Sequence, residues 1–326
     1  MTIMRPLLKL ASPAGRGGRL SVLVLHRVLP GPDPLYPEAM DAARFTQICR
    51  WVDSMFTVLP LDAAMQRLRN GTVPERALAI TFDDGYADNR HVAMPILQAL
   101  GLPATVFVTT GFLDGGCMWN DIVIESFRRT RCPVADLRDL VPQAGAAVFE
   151  LATVSQQRVA LEAVIAAVKY LDQDHRLQVV RRIAGRLEVA VPTDIMMTSG
   201  DVVDLRRAGL QVGAHTVSHP ILTKLTADEM HREMKGSKDF LEHLLAERVS
   251  LFAYPNGKPG EDYDGRAVTL AREIGFDAAV TTARGAASPT TDPYQVPRFT
   301  PWDRKAWRFG MRMLGNLWAS DGRAVA

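Results

Sequence analysis

Short apolar runs separated by longer, more polar stretches constrain this chain more than any other feature. SVLVLH (Ser21 to His26), ALAITF (Ala77 to Phe82), ATVFVTT (Ala104 to Thr110), LQVGAH (Leu210 to His215), VSLFAY (Val249 to Tyr254) and DAAVTT (Asp277 to Thr282) read as strands. Strands this apolar have to be covered on both faces, which is the situation of a parallel sheet flanked by helices. The stretches between them carry helix signals: Gly101 and Pro103 close the segment containing PILQAL, Ser199 is placed to cap DVVDLRRAG, and Thr226 with Glu229 makes a capping box. Charged residues recur at the downstream ends of the strands, where an α/β barrel assembles its chemistry, so a barrel is favoured over an open doubly wound sheet.

One region breaks the alternation. From about residue 120 to 197 the chain reads as helical throughout, with no convincing strand, and is expected to be a helical insertion in a single domain spanning residues 1–326. A second distinct stretch, about 301–318, mixes Trp302, Trp307, Phe309 and Trp318 with Arg304, Lys305, Arg308 and Arg312. It is expected to form a C-terminal helix, either packed with its basic face in water or lying peripherally in a membrane interface.

Composition narrows the function. The net charge of +2 comes from 38 basic and 36 acidic residues spread along the chain, with no basic block to follow a phosphate backbone, so nucleic acid is not an expected partner. Cys49, Cys117 and Cys132 are odd in number and show no CxxC spacing, which argues against a zinc knuckle or a disulfide framework and for a reducing compartment. Lys9 interrupts the apolar stretch at the start, and no run approaches the roughly 20 residues of a membrane span. The expected location is the cytoplasm or the periphery of a membrane.

Two clusters carry chemistry. TFDDG (Thr81 to Gly85) sets adjacent carboxylates at the end of an apolar strand, and AHTVSHP sets His215 and His219 four apart after another, where a helical turn would put both imidazoles on one face. Acids in a turn are often only turn formers, and a chain with seven histidines yields an HxxxH by chance, so each cluster gains weight from the other. Two imidazoles and a carboxylate suit a catalytic divalent metal, zinc above all, which would activate a water and polarise an acyl oxygen.

TFDDGYADN, HTVSH and FAYPNG, in this order, resemble the polysaccharide deacetylases of carbohydrate esterase family 4, the nodulation-type deacetylase domain. The resemblance runs from VLVLHRV to YQVPRF and includes PILQALGLPATVFVTTG and the SKDFLE helix. It implies a distorted (β/α)7 barrel with Asp84, His215 and His219 as metal ligands and Asp83 as general base. It also implies an oxyanion donor in the backbone N–H of Asn256, with Tyr254 and Pro255 lining the groove. The division between the two aspartates has physical sense, because a ligating carboxylate is poorly placed to accept a proton that its free neighbour can take.

Two departures stand out. The family's third motif carries an arginine two residues before its proline, where this chain has Ala253, and Arg298 in VPRF is the candidate to replace it. The family's late histidine, the general acid, is also missing, since none follows His243. His26, at the end of the first strand, is the candidate acid, because the first and last strands of a closed barrel are neighbours. Trp119 and Asp121 in MWND are candidates to stack on a sugar and hold a hydroxyl. The implied activity is removal of N-acetyl groups from the sugars of a polysaccharide or lipid-linked glycan, in exopolysaccharide or surface-glycan assembly. The rival readings are a catalytically silent carbohydrate binder on the same scaffold and a deformylase or amidase acting on another acylated sugar.

Overall fold

The apolar runs become the strands of a sheet. In chain order the strands are β1 (Leu20–Leu25), β2 (Thr57–Val58), β3 (Ala77–Phe82), β4 (Thr105–Val108), β5 (Val134–Asp136), β6 (Val148–Glu150), β7 (Gln211–Ala214), β8 (Leu251–Ala253) and β9 (Ala278–Val280). The helices are α1 (Met4–Ala11), α2 (Ala42–Met55), α3 (Leu61–Arg69), α4 (Met94–Ala99), α5 (Trp119–Arg129), α6 (Val154–Val168), α7 (Gln173–Arg186), α8 (Ser199–Arg207), α9 (Ala227–Leu245), α10 (Gly265–Glu273) and α11 (Ala306–Trp318). These come from a computed structural model that describes residues 4–143, 147–319 and 324–325.

The main sheet runs β1-β3-β4-β7-β8-β9 with every neighbour parallel, and β2 shares one edge of β3 with β4. Residues 295–299 lie between the two ends of this order. Val296 bridges Val280 of β9 and Phe299 bridges Leu23 of β1, both in parallel. The result is a curled parallel sheet surrounded by helices, the α/β architecture of a distorted (β/α)7 barrel.

Period-two alternation divides the strand side chains into two cores. Leu78, Ile80, Phe82, Val106, Val108, Val212 and Phe252 pack outward under the helices. Val22, Ala77, Ala79, Phe107, Ala253, Ala278, Val280 and Val296 fill the inside of the curl, with Leu61, Met65 and Leu68 of α3 against them. Small residues dominate that inner set because larger ones must be accommodated there. A Cβ on Gly213 would come 2.4 Å from the ring of Phe107, so only glycine lets that ring lie across β7.

The described chain divides into two compact units: Pro32–Ala39 with Asp114–Met196 form one, and the rest form the unit that holds the sheet. The smaller unit corrects the expectation that this region holds no strand. Besides α5, α6 and α7 it contains an antiparallel ribbon, β5 with β6, in register Ala135↔Phe149. Strands of three residues are too short to show a period in sequence, which is why they escaped notice. Its own core includes Phe127, Leu137, Leu161, Val164, Val180 and Ile183. At α8 the cap is Thr198, one residue earlier than expected, because Asp201 completes a capping box with it.

Candidate functional site

On β3, alternation carries Ala77, Ala79, Thr81 and then Asp83 along the inner face, so Asp83 leaves the strand at the mouth of the curl. Arg298, from the segment bridging β9 and β1, meets it there. Its Nη1 and Nη2 donate to Asp83 Oδ1 and Oδ2 at 2.7 and 2.6 Å, its Nη1 also donates to Thr81 Oγ1, and its Nε donates to the Thr281 carbonyl. The Arg298 side chain is wholly buried, with its guanidinium 5.9 Å from the Phe107 ring centroid. Burial alone would push the Asp83 carboxyl up, but the guanidinium outweighs it and holds the group below its ordinary value.

Alternation would send Asp84 to the opposite face. A φ of +78° turns the chain back at that residue, and its Oδ1 faces His215 Nε2 at 3.3 Å and His219 Nε2 at 3.4 Å. The ligand atoms of these three residues all lie within 4.8 Å of one another. Asp84 Oδ1 is buried and forms no hydrogen bond. Burial opposes ionisation of Asp84, yet its interactions with His215, His26 and His219 outweigh burial and hold its carboxyl far below the usual range. His215 Nδ1 donates to the Ala253 carbonyl at 2.7 Å, so in the neutral imidazole it is Nε2, facing Asp84, that carries the lone pair. Burial and the neighbouring positive charges, against the pull of both carboxylates, push His219 down to about 4, leaving a neutral imidazole at neutral pH.

The HTVSH segment is a loop and not the helical turn expected from its spacing. Thr216 and His219 adopt left-handed backbone, at φ +65° and +56°, and the two imidazoles meet edge to face at 4.9 Å. Glu233 of α9 holds the loop open in this shape. It accepts from the N–H groups of Val217 and Ser218 at 2.9 and 2.8 Å and from the Ser218 hydroxyl at 2.6 Å, while Thr216 Oγ1 accepts from the N–H of His219. The sequence reading missed Glu233, although its place between the buried Met230 and Met234 on one helix marks it as near the core. It also missed Thr81, which shares the inner face with Asp83 and was open to the period-two argument.

His26 lies exposed just beyond β1, on the strand paired with β3, and its charge acts on both Asp83 and Asp84. Its backbone is clamped by Asn89 and Asp88, just beyond the TFDDG turn. Asn89 Nδ2 donates to the His26 carbonyl at 2.8 Å, and Asp88 accepts from Val28 N–H at 2.9 Å and from Arg27 Nε at 2.8 Å. Beyond β8, Asn256 is exposed at φ +56°, and its N–H makes no hydrogen bond among the described residues. Pro255 before it is buried. Tyr254 corrects an expectation: it does not line a groove. Its ring is fully buried, stacked on Tyr263 at 4.0 Å, with its hydroxyl donating to the Tyr294 carbonyl. Trp119 and Asp121 belong to the smaller unit, where Arg176 lies 4.7 Å over the Trp119 ring and Asp121 is buried in the first turn of α5.

This arrangement was compared with known proteins. The polysaccharide deacetylase family profile matches residues 70–135 and 188–279. YxkH of Bacillus subtilis strain 168, named as a polysaccharide deacetylase, is 20% identical over 282 residues, which is 86% of this chain and 70% of its own length. The deacetylase PplD of Streptococcus pyogenes, solved with acetate, matches with a TM-score of 0.60 at 18% identity, over 92% of this chain and 99% of its own. IcaB of Ammonifex degensii matches with a TM-score of 0.58 at 17% identity, over 94% and 99%.

Proposed function

This chain belongs to the polysaccharide deacetylase family and is a hydrolase of that class, and from that premise we propose that it removes N-acetyl groups from glycan sugars with a divalent metal at Asp84, His215 and His219. The observation that carries the reading is Asp84 Oδ1. It is a buried, ionised oxygen flanked by two imidazole nitrogens and given no hydrogen bond, a donor set that a cation completes. Zinc suits two imidazoles and a carboxylate with further positions left for small oxygen ligands. Such a cation supplies a Lewis acid for the acyl oxygen and the means to ionise water near neutral pH.

The chain's own groups do the rest. Asp83 accepts the proton of the attacking water as its oxygen bonds to the acetyl carbon. Arg298 occupies two of the roughly four lone-pair positions on that carboxylate, fixing its plane and leaving the others for the water. The Asn256 N–H donates to the oxyanion that develops. His26 gives a proton to the sugar nitrogen as the carbon–nitrogen bond breaks, and acetate and a free amine leave. The substrate class is an N-acetylated polysaccharide or lipid-linked glycan, and the setting is exopolysaccharide or surface-glycan assembly.

Zinc binding and turnover, measured together, test the assignments. Asp83→Asn and His26→Ala are each expected to retain zinc in a chelator competition and to lose acetate release by about 10²–10⁴-fold, the usual worth of a positioned acid or base. Full turnover in either variant removes that residue from the reaction.

A further inference from the structure

α11 is apolar on two faces. Phe309, Met313, Leu314 and Leu317 are buried beneath it, while Trp307, Met311 and Trp318 stand outward at 61%, 50% and 66% exposure. Those three recur at i, i+4 and i+11, a single stripe on a helix, where a water-facing side would carry charges. α1 packs beside it. A Cβ on Gly310 would come within 3.0 Å of the Met4 side chain, so the two helices cross closely there. α1 adds its own exposed residues, Leu7 at 41% and Leu10 at 81%, and Trp302 just before α11 is 61% exposed.

Basic residues predominate around this surface. Neither MRPLLKLA nor AWRFGMRMLGNLW contains an acid, whereas Arg5, Lys9, Arg304, Lys305 and Arg308 are all exposed. Two acids beside this surface are engaged, Glu75 with Lys9 at 2.8 Å and Asp303, buried, with Arg312 at 3.2 Å. Outward tryptophans rimmed by arginine and lysine match the headgroup region of a bilayer, where indole rings settle at the polar boundary and basic groups meet anionic lipid. A second copy is disfavoured by the same charges. A two-fold contact sets each patch against itself, and predominantly basic rims would repel. No helix among the described residues is long and apolar enough to cross a membrane, so any contact made through α11 is with the surface.

We infer that α1 and α11 together form a platform that docks this protein on the surface of a bilayer containing anionic phospholipid. The inference is independent of the reaction assigned above. The test is co-sedimentation of the purified full-length protein with phosphatidylcholine vesicles, with and without phosphatidylglycerol. The wild type is expected to sediment with the anionic vesicles, with a blue shift of tryptophan emission, and to be released by high salt. Each basic residue near such a surface is worth about fivefold in partition, so the triple variant Arg304→Gln, Lys305→Gln, Arg308→Gln should lose about a hundredfold. The double variant Trp307→Ser, Trp318→Ser should lose at least about tenfold and the blue shift with it. The single variant Trp318→Ser is read beside it, and circular dichroism and Tm report whether each variant is folded. Failure of the folded wild type to bind anionic vesicles at low salt overturns the inference, and so does binding that survives both multiple substitutions. A dimer seen by sedimentation equilibrium and dissolved by the same tryptophan substitutions also overturns it, since the occupant is then a second copy.

Discussion

At the scale of single residues, the pairing of Asp83 with Arg298 sets the chemistry of the site. A carboxylate taken out of water costs several kcal/mol, and Arg298 offsets this with two charge-assisted hydrogen bonds at 2.7 and 2.6 Å. The offset has a chemical cost, because a carboxyl held below its ordinary value is a weaker base. A cation held by Asp84, His215 and His219, as proposed, would remove the difficulty by making the water a stronger acid. The sign of the pH dependence follows. The folded-state value of Asp83 is depressed, so its pairing stabilises the fold above the unfolded value of about 3.9 and is lost as pH falls through the folded value. In Arg298→Met, the largest influence opposing burial is gone and the Asp83 carboxyl rises. The acid limb of kcat/KM should then move up by roughly 1–3 units, with partial recovery of rate at alkaline pH. Stability should fall by about 3–5 kcal/mol, and Arg298→Lys, which keeps the charge without the bidentate geometry, should shift the limb less. A pH–rate profile unchanged in the folded methionine variant contradicts this role for Arg298.

At the scale of elements, strand ends and the loops beyond them do the positioning. The six apolar runs were legible because strands covered on both faces must be written in apolar residues, and Asp83 was placed at a strand end by that same reading. The loops were not legible in the same way. HxxxH on a sequence suggests a helix, but here the spacing serves a loop whose shape depends on left-handed backbone at Thr216 and His219 and on hydrogen bonds donated to Glu233 of α9. Such backbone costs on the order of 1–3 kcal/mol per residue and persists because the surrounding bonds hold it. Glu233→Ala should therefore lower zinc affinity by about 10–100-fold without touching a ligand, measured by competition with a chromophoric chelator. Unchanged affinity would mean that the loop keeps its shape without Glu233. The fate of Tyr254 has a similar cause. Its position next to Pro255 looked like a groove, but the strand delivers the ring to a core already holding Tyr263 and Phe276.

At the scale of the whole molecule, the site draws on residues far apart in sequence, since Asp83 and Arg298 are separated by 215 positions. Parallel strands bring their downstream ends to one rim, so order along the chain becomes order around a curl. That logic was available from sequence and pointed to a barrel with acids and histidines at its strand ends, whereas the seven-unit form and the residue roles were expectations from the family resemblance. The segment at 295–299 is harder to read, because Pro293 and Pro297 interrupt any ladder and only single bridges mark its course. It carries Arg298 to Asp83. The smaller unit shows the opposite failure, as its ribbon of three-residue strands lies among strong helical patterns that dominate the reading. The account as a whole rests on hydrolysis of an N-acetyl group that depends on the metal set, and one measurement addresses it directly: acetate release from N-acetylglucosamine oligomers by the purified protein, stripped of metal with a chelator and then given zinc. Release that disappears on stripping and returns with zinc is the predicted result. Release that persists in the demonstrably metal-free protein, or none when zinc is demonstrably bound, contradicts it.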